Sequence, residues 1–289
     1  MRSSRAFLAI VLALSLAALA CSMNVDLPEV EYRTTALVTE SIQVPVPEGS
    51  SQAEVTLNFG AGQLNLAGGA EQYLIEGKAA YNVPEFKPRL VEAADGIELS
   101  SGELEVSAIP RLANEIENQW DLKLGSLPMN LKINAGAYQG RYELGGLALT
   151  GLEIADGASD VTLSFAEPNA AAMETLRYST GASQVTLEGL GNANFNQMIF
   201  RGGAGSYVLD FGDTILRAGQ VDVETGISSV RIVAPPSAQV RVLVSGGLSN
   251  VSASGEWIKR NDEYSLEGSG PSLVIEVTMG AGSLELRTP

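Results

Sequence analysis

Gly157 to Leu163 reads GASDVTL, Gly181 to Leu187 reads GASQVTL, and Gly203 to Leu209 reads GAGSYVL. Each phrase is a glycine, a small residue, a glycine or serine, and then an alternating run with apolar side chains four and six places after the first glycine. Further copies begin at Gly60 (GAGQLNL), Gly136 (GAYQGRYEL), Gly226 (GISSVRI), Gly247 (GLSNVSA) and Gly280 (GAGSLEL). From Gly136 onward the intervals are 21, 24, 22, 23, 21 and 33 residues. A self-similar period near 22 is the mark of a solenoid.

The residue types fit one coil of such a structure. Glycine at a corner is free to take positive φ, and Ala or Ser beside it lets neighbouring coils approach closely. After the corner, side chains alternate between faces. Val161 and Leu163, Val185 and Leu187, Tyr207 and Leu209, Val230 and Ile232, and Leu284 and Leu286 therefore share an inner face, while Thr162, Thr186, Arg231 and Glu285 take the wet one. One strand cannot bury its apolar row, but strands stacked about 4.8 Å apart form a continuous apolar column. At about 3.3 Å per residue, 22 residues enclose a perimeter on the order of 70 Å. The expected fold is all-β: a right-handed, single-stranded, β-helix-like solenoid with a differentiated N-terminal section. A sandwich of antiparallel strands would place turn signals about every 8 to 12 residues, a closer spacing than the repeat shows.

Two stretches interrupt the repeat. Between Gly60 and Gly136 the phrase is missing, prolines stand at 84, 88, 110 and 128, and Leu112, Ile116 and Trp120 have helical spacing. Near the C-terminus GEWIKRNDEYSLEGSGPS, from Gly255 to Ser272, is polar and turn-rich. It reads as a protruding loop or part of a cap, since a solenoid must hide its open edges.

The first residues carry a different signal. Arg2 and Arg5 precede an apolar run from Ala6 to Leu16, and Ala18-Leu19-Ala20 leads into Cys21, the single cysteine. This has the layout of a secretory signal, and the apolar run is shorter than the ~20 residues a membrane-spanning helix needs. Its end resembles a bacterial lipobox, with Ala18 where leucine is usual. That resemblance implies cleavage between Ala20 and Cys21 and lipidation of Cys21. The organisation expected is a lipoprotein signal at 1–20, a tether at 21–40, an N-terminal section at 41–135 and glycine-rich repeats at 136–289.

Composition narrows the function classes. The chain has 289 residues with 18 Lys+Arg and 34 Asp+Glu. Removal of residues 1–20 takes two arginines with it, leaving a net charge of −18. Such a polyanion does not seek nucleic acid. Histidine is absent, which excludes Ser-His-Asp and Cys-His catalysis and imidazole metal sites. Asp210 with Asp213, or Asp222 with Glu224, are the carboxylate pairs open to acid-base work. If Val221 and Val223 face inward, Asp222 and Glu224 lie on a solvated face, unlike catalytic acids in desolvated or charge-coupled pockets. GGAGSYVLD from Gly202 departs from the calcium-binding nonapeptide, because Tyr207 stands where an aspartate ligand is needed. The glycines are followed by strands and lack the GxxxxGK[ST] pattern of a phosphate loop. Neither a metal nor a cofactor is expected. Asn250-Val251-Ser252 has the form of a glycosylation sequon and reads as coincidence. Among the aromatics, Trp120 and Tyr207 read as core, and Trp257 and Tyr264, set in the polar insertion, form the candidate interaction surface.

FGAGQLNLAGG with LIEGKAAYN (59–69, 74–82), WDLKL with LPMNLKINAGA (120–124, 127–137), and GLGNANF with RGGAGSYVLDFGD (189–195, 201–213) together resemble the bacterial toast-rack proteins. Neighbouring families include the C-terminal domains of cell-wall-active antibiotic response proteins and adhesin domains of the head-GIN type. Tyr138, in place of a third glycine, and Gly140, in the first apolar slot of its coil, depart from the pattern. The resemblance implies a β-solenoid-like domain outside the membrane and supplies no catalytic residue. The expected function is that of a non-enzymatic protein of the bacterial envelope, held to the membrane by lipid and presenting the solenoid to an envelope protein or wall polymer. Two alternatives are an envelope-stress regulatory module, carried by the resemblance alone, and a polysaccharide-active β-helix enzyme, which would need basic residues clustered in a groove.

Overall fold

In a computed structural model, which describes residues 34–93, 96–102, 116–247 and 250–289, seven of the eight glycine phrases sit in the middle of a long strand rather than ahead of one, and the eighth, at Gly247, begins just after a shorter strand ends. In chain order the strands are β1 (Val38–Pro45), β2 (Ala53–Ala70), β3 (Tyr73–Tyr81), β4 (Pro88–Ala93), β5 (Gly96–Ser101), β6 (Asn118–Gly125), β7 (Met129–Glu143) and β8 (Leu149–Ser164). They continue as β9 (Met173–Glu188), β10 (Phe195–Asp210), β11 (Gly219–Val233), β12 (Gln239–Gly246), β13 (Asn250–Ser254), β14 (Ile258–Arg260), β15 (Glu263–Glu267) and β16 (Ser272–Arg287). Two short 3₁₀ turns, Pro84–Phe86 and Leu190–Ala193, complete the regular structure, and the described residues include no α-helix.

Each long strand bends at its glycine into two limbs, and both limbs contribute to the core. In β9 the first limb buries Leu176 and Tyr178, and the second buries Val185 and Leu187. The corresponding sets are Met198, Phe200, Tyr207 and Leu209 in β10, and Val221, Val223, Val230 and Ile232 in β11. Inward positions thus fall five and three places before the glycine and four and six after it. The apolar residue eight places after the glycine closes the third side in four coils: Leu144, Phe165, Phe211 and Ala234 are almost wholly buried. Their N–H groups bond the next coil at the carbonyls of Ser164, Glu188, Val233 and Arg287.

The coils stack in parallel and in register. Val185 lies beside Val161 on one side and Tyr207 on the other, and Tyr207 beside Val230, offsets of 24, 22 and 23 residues. The described strands form one sheet in the order β1-β3-β6-β2-β7-β8-β9-β10-β11-β16-β12-β15-β14, with β13 on β16 and β5 on β2 and β4. The expected solenoid of about 22-residue coils is therefore the observed architecture.

The corner glycines serve close approach. None of the eight has positive φ, which corrects the expectation from glycine's conformational freedom. A Cβ on Gly181 would lie 2.5 Å from the carbonyl oxygen of Gly157, and one on Gly203 2.5 Å from that of Gly181. The column runs Gly60, Gly136, Gly157, Gly181, Gly203, Gly226, Gly280, Gly247, each but the first facing its predecessor's carbonyl. Gly60 has only Ser101 Oγ, at 3.8 Å. Gly181→Ala is accordingly expected to cost about 1–3 kcal/mol by forcing neighbouring backbones apart, while Gly60→Ala is close to neutral. Paired thermal melts check this, and equal losses would show that close approach is not the constraint.

Both interruptions of the repeat build ends of the sheet. The 76-residue interval from Gly60 to Gly136 leaves their coils in direct contact, since β2 pairs with β7 from Ala53↔Met129 to Ala67↔Glu143. The boundary placed at 135/136 is thus no break in the sheet. The intervening chain turns outward: β6 covers the second limb of β2, followed by antiparallel β3 and β1. On the first limb, β5 is followed by antiparallel β4. Trp120, expected on a helical face with Leu112 and Ile116, is a fully buried inward residue of β6, and Leu112 lies outside the described residues. At the other end β16 inserts between β11 and β12, and antiparallel β15 and β14 close the first limb. The polar C-terminal insertion is therefore an end cap. Strand β1 begins at Val38, inside the stretch expected to be tether.

The departures at Tyr138 and Gly140 have a common cause. Tyr138 turns inward, and a Cβ on Gly140 would lie 2.9 Å from its ring and 3.1 Å from that of Tyr142, so the glycine vacates the slot those rings fill. The Tyr142 hydroxyl donates to the Tyr138 hydroxyl at 3.0 Å, and Tyr138 and Tyr178 donate to Asp156 Oδ2 at 3.2 and 2.7 Å. Thr180 donates to the other carboxylate oxygen. Burial first and the Asp156 charge second hold the Tyr178 phenol far above its ordinary range, so it remains a donor.

Candidate interaction face

Outward side chains of β1, β3, β6, β2 and β7 line up in three ranks that the strand register fixes. The first runs Thr39, Ala80, Gln119, Gln63, Gln139; the second Ser41, Lys78, Asp121, Asn65, Arg141; the third Gln43, Glu76, Lys123, Ala67, Glu143. The inward alternates Ile42, Leu64, Leu66, Trp120 and Leu122 hold these strands to the core. A polar face on buried strands is thus a consequence of alternation alone.

The second and third ranks line an open groove of about 970 Å³, together with Gln63 and Gln139 of the first. Its floor is low at Gly77, where a Cβ would meet the Asp121 carbonyl at 2.1 Å. Hydrogen bonds order part of it: Asn65 Nδ2 donates to Asp121 Oδ1 at 2.6 Å, Gln119 Nε2 to Asp121 Oδ2 at 2.9 Å, and Gln63 Nε2 to Gln139 Oε1 at 3.5 Å. At Ala67 and Glu143 the groove meets a second hollow of about 600 Å³, floored by Gly68, Gly69, Gly125, Gly145 and Gly146. Chemically this is a surface of amides, carboxylates and ammonium or guanidinium groups over a shallow backbone floor, suited to holding a polar chain by hydrogen bonds and charge.

The residues singled out in the sequence lie elsewhere. Ala20 and Cys21 are outside the described residues. Tyr264 is 3% exposed, because it alternates inward on β15 opposite Val242, as Leu266 does opposite Val240. The Lys259 Nζ lies 5.2 Å from its ring centre. Trp257 is half-buried against the core with Nε1 enclosed. The expectation of an open ring face is corrected for Tyr264: that aromatic in a polar segment is the inward residue of a cap strand.

Val221 and Val223 are buried, which puts Asp222 and Glu224 on the open face as expected. Both pair with Arg201, through Nη2 to Asp222 Oδ2 at 3.3 Å and Nη1 to Glu224. Asp210 accepts the Gly212 N–H at 2.7 Å, closing a turn. Among the described residues no three of Asp, Glu, His or Cys gather as a metal site, and no helix is long and apolar enough to cross a membrane.

The family model described as the N-terminal domain of toast_rack matches residues 33–187, more than half of the chain. The chain belongs to the toast-rack family. That match ends within the stack, at the last inward residue of β9, while the pairing of β9 with β10 continues the toast-rack coil without change of register. Among solved structures, a "putative cell adhesion protein" from Clostridium sporogenes is 21% identical, with 88% of this chain and 100% of that chain covered and a TM-score of 0.53, a likeness of fold. A "putative adhesin" from Bacteroides fragilis is 10% identical over 89% and 99% of the two chains, with a TM-score of 0.39. Curated proteins give no match.

Proposed function

We propose that this toast-rack protein is a non-enzymatic, lipid-anchored component of the bacterial envelope that holds its polar groove against a macromolecular partner. The observation that carries this reading is the set of three polar ranks fixed across five strands by backbone pairing. The backbone of such a surface is preorganised, so binding orders side chains but not the chain that carries them. Adhesion, the role in the name of the Clostridium sporogenes protein, is one form of such a contact. The carboxylates open to catalysis support the same reading, because Asp222 and Glu224 share Arg201 on a solvated face.

Co-sedimentation of the full chain with purified envelope fragments tests it. Lys78→Glu/Lys123→Glu/Arg141→Glu is expected to reduce the bound fraction at least tenfold with an unchanged melting temperature, since all three side chains are outward. Binding equal to that of the unaltered protein would move recognition off the groove. Anchoring is tested separately: incorporation of labelled palmitate is expected to vanish in Cys21→Ser, as one lost thiol removes the acylation site. Equal labelling of both proteins would remove lipidation from the proposal.

A further inference from the structure

The charges in the groove alternate in sign in both directions. Along the second rank stand Lys78, Asp121 and Arg141, with Asn65 between the last two; along the third stand Glu76, Lys123 and Glu143, with Ala67 between the last two. Every charge of one rank is flanked on the same strand by the opposite charge of the other. Three cations therefore meet three anions here, in a chain whose totals are 18 and 34. Several cations elsewhere are taken up by neighbours: Lys132 lies 3.7 Å from Glu153, Arg231 2.6 Å from Glu285, and Arg241 3.0 Å from Glu263. Among the described residues Lys78, Lys123 and Arg141 make no ion pair within 4.0 Å, although Asp121 stands opposite Lys78 and Glu76 opposite Lys123 across the strands, while Arg141 faces Asn65 and Thr162.

We infer that the groove binds an extended peptide segment of mixed charge on an envelope partner, a proposal that rests on the groove being the contact face. A ligand of one sign would meet as many repulsive as attractive side chains, whereas one carrying both signs can match each. The Gln63 and Gln139 amides lining the groove stand on adjacent strands about 4.8 Å apart. Each offers a donor and an acceptor, the complement of a peptide N–H and C=O. No aromatic ring lines the groove, so it lacks the apolar faces that would grip a sugar ring. The glycine-floored hollow beyond Glu143 leaves room for the chain to continue without a side-chain clash.

The test uses the full chain in detergent and an array of ten-residue peptides carrying from zero to four Lys and zero to four Glu, with chito-oligosaccharides alongside. Peptides with both charges are expected to bind at least tenfold better than all-Glu, all-Lys or uncharged ones. That preference should weaken as salt rises from 0.05 to about 0.5 M, since exposed charges are screened. It should disappear in Lys78→Glu/Lys123→Glu/Arg141→Glu and persist in Lys132→Glu, a charge change on the other limb. Gln63→Ala/Gln139→Ala should weaken all bound peptides alike. A preference for one sign, for uncharged peptides or for the oligosaccharides overturns the inference, as does equal binding by the triple variant. If the triple variant loses envelope fragments while no mixed-charge preference is seen, the peptide assignment fails and the groove stands as the contact face. If both measurements are unaffected by the triple variant, the groove itself fails.

Discussion

Val185→Asp is expected to unfold the middle of the solenoid, while Thr186→Asp leaves it folded. Val185 is fully buried between Val161 and Tyr207 of the adjacent coils, with Leu163, Leu187 and Leu209 forming the next column along. A carboxylate there has no cation within the column to pair with and no water to solvate it. The cost is more than about 4 kcal/mol, a large share of the 5–15 kcal/mol typical of a domain. Thr186 lies one residue on, between Thr162 and Val208 on the outer face, and an aspartate there stays hydrated, with an effect within about 1 kcal/mol. Thermal melts of both variants decide the matter. Similar losses would mean that one-sided alternation is not what holds the coils together.

The second limb of each coil is readable in the sequence because it follows a recognisable phrase. The first limb is not, although its residues are as apolar. Ile154 and Val161 are both buried yet stand seven places apart, an odd number that strict period-two alternation assigns to opposite faces. The bend at Gly157 slips the phase by one residue, so inward positions change parity at every corner. Leu176 and Tyr178, Met198 and Phe200, and Val221 and Val223 were open to discovery by aligning the coils on their glycines and reading backward.

The groove was harder to see, since β1, β3 and β6 belong to the interruption rather than to the repeat. One trace of it lies in the repeat itself: Gln63, Gln139 and Gln184 occupy the third place after their glycines, where other coils have Asp, Ser or Asn. Composition misdirected attention to Trp257 and Tyr264. A polar segment with two aromatics reads as an exposed loop, but antiparallel pairing of β15 with β12 gives it an inward face, and Tyr264 is that face.

Strand order at the C-terminal end was illegible for a different reason. Every coil presents the same pattern to both neighbours, so sequence alone does not say whether the Gly247 or the Gly280 coil sits on the Gly226 coil. The structure places β16 there, with β12 and β13 outside it. The last strand of the chain is therefore an interior strand. Deleting Ser272–Pro289 is expected to detach the whole C-terminal cap. Leu273, Ile275, Val277, Met279, Leu284 and Leu286 are each at most 1% exposed, and their burial at about 1.5–3 kcal/mol apiece amounts to about 10 kcal/mol or more. Because each coil touches only its neighbours, the loss should stay local. Limited proteolysis of the truncated chain should cut freely between residues 235 and 271 and leave a resistant fragment containing the coils of Gly60 to Gly203. If the segment from Gln239 to Glu267 stayed protected, β12 would have to pair directly with β11 and the coils would follow chain order.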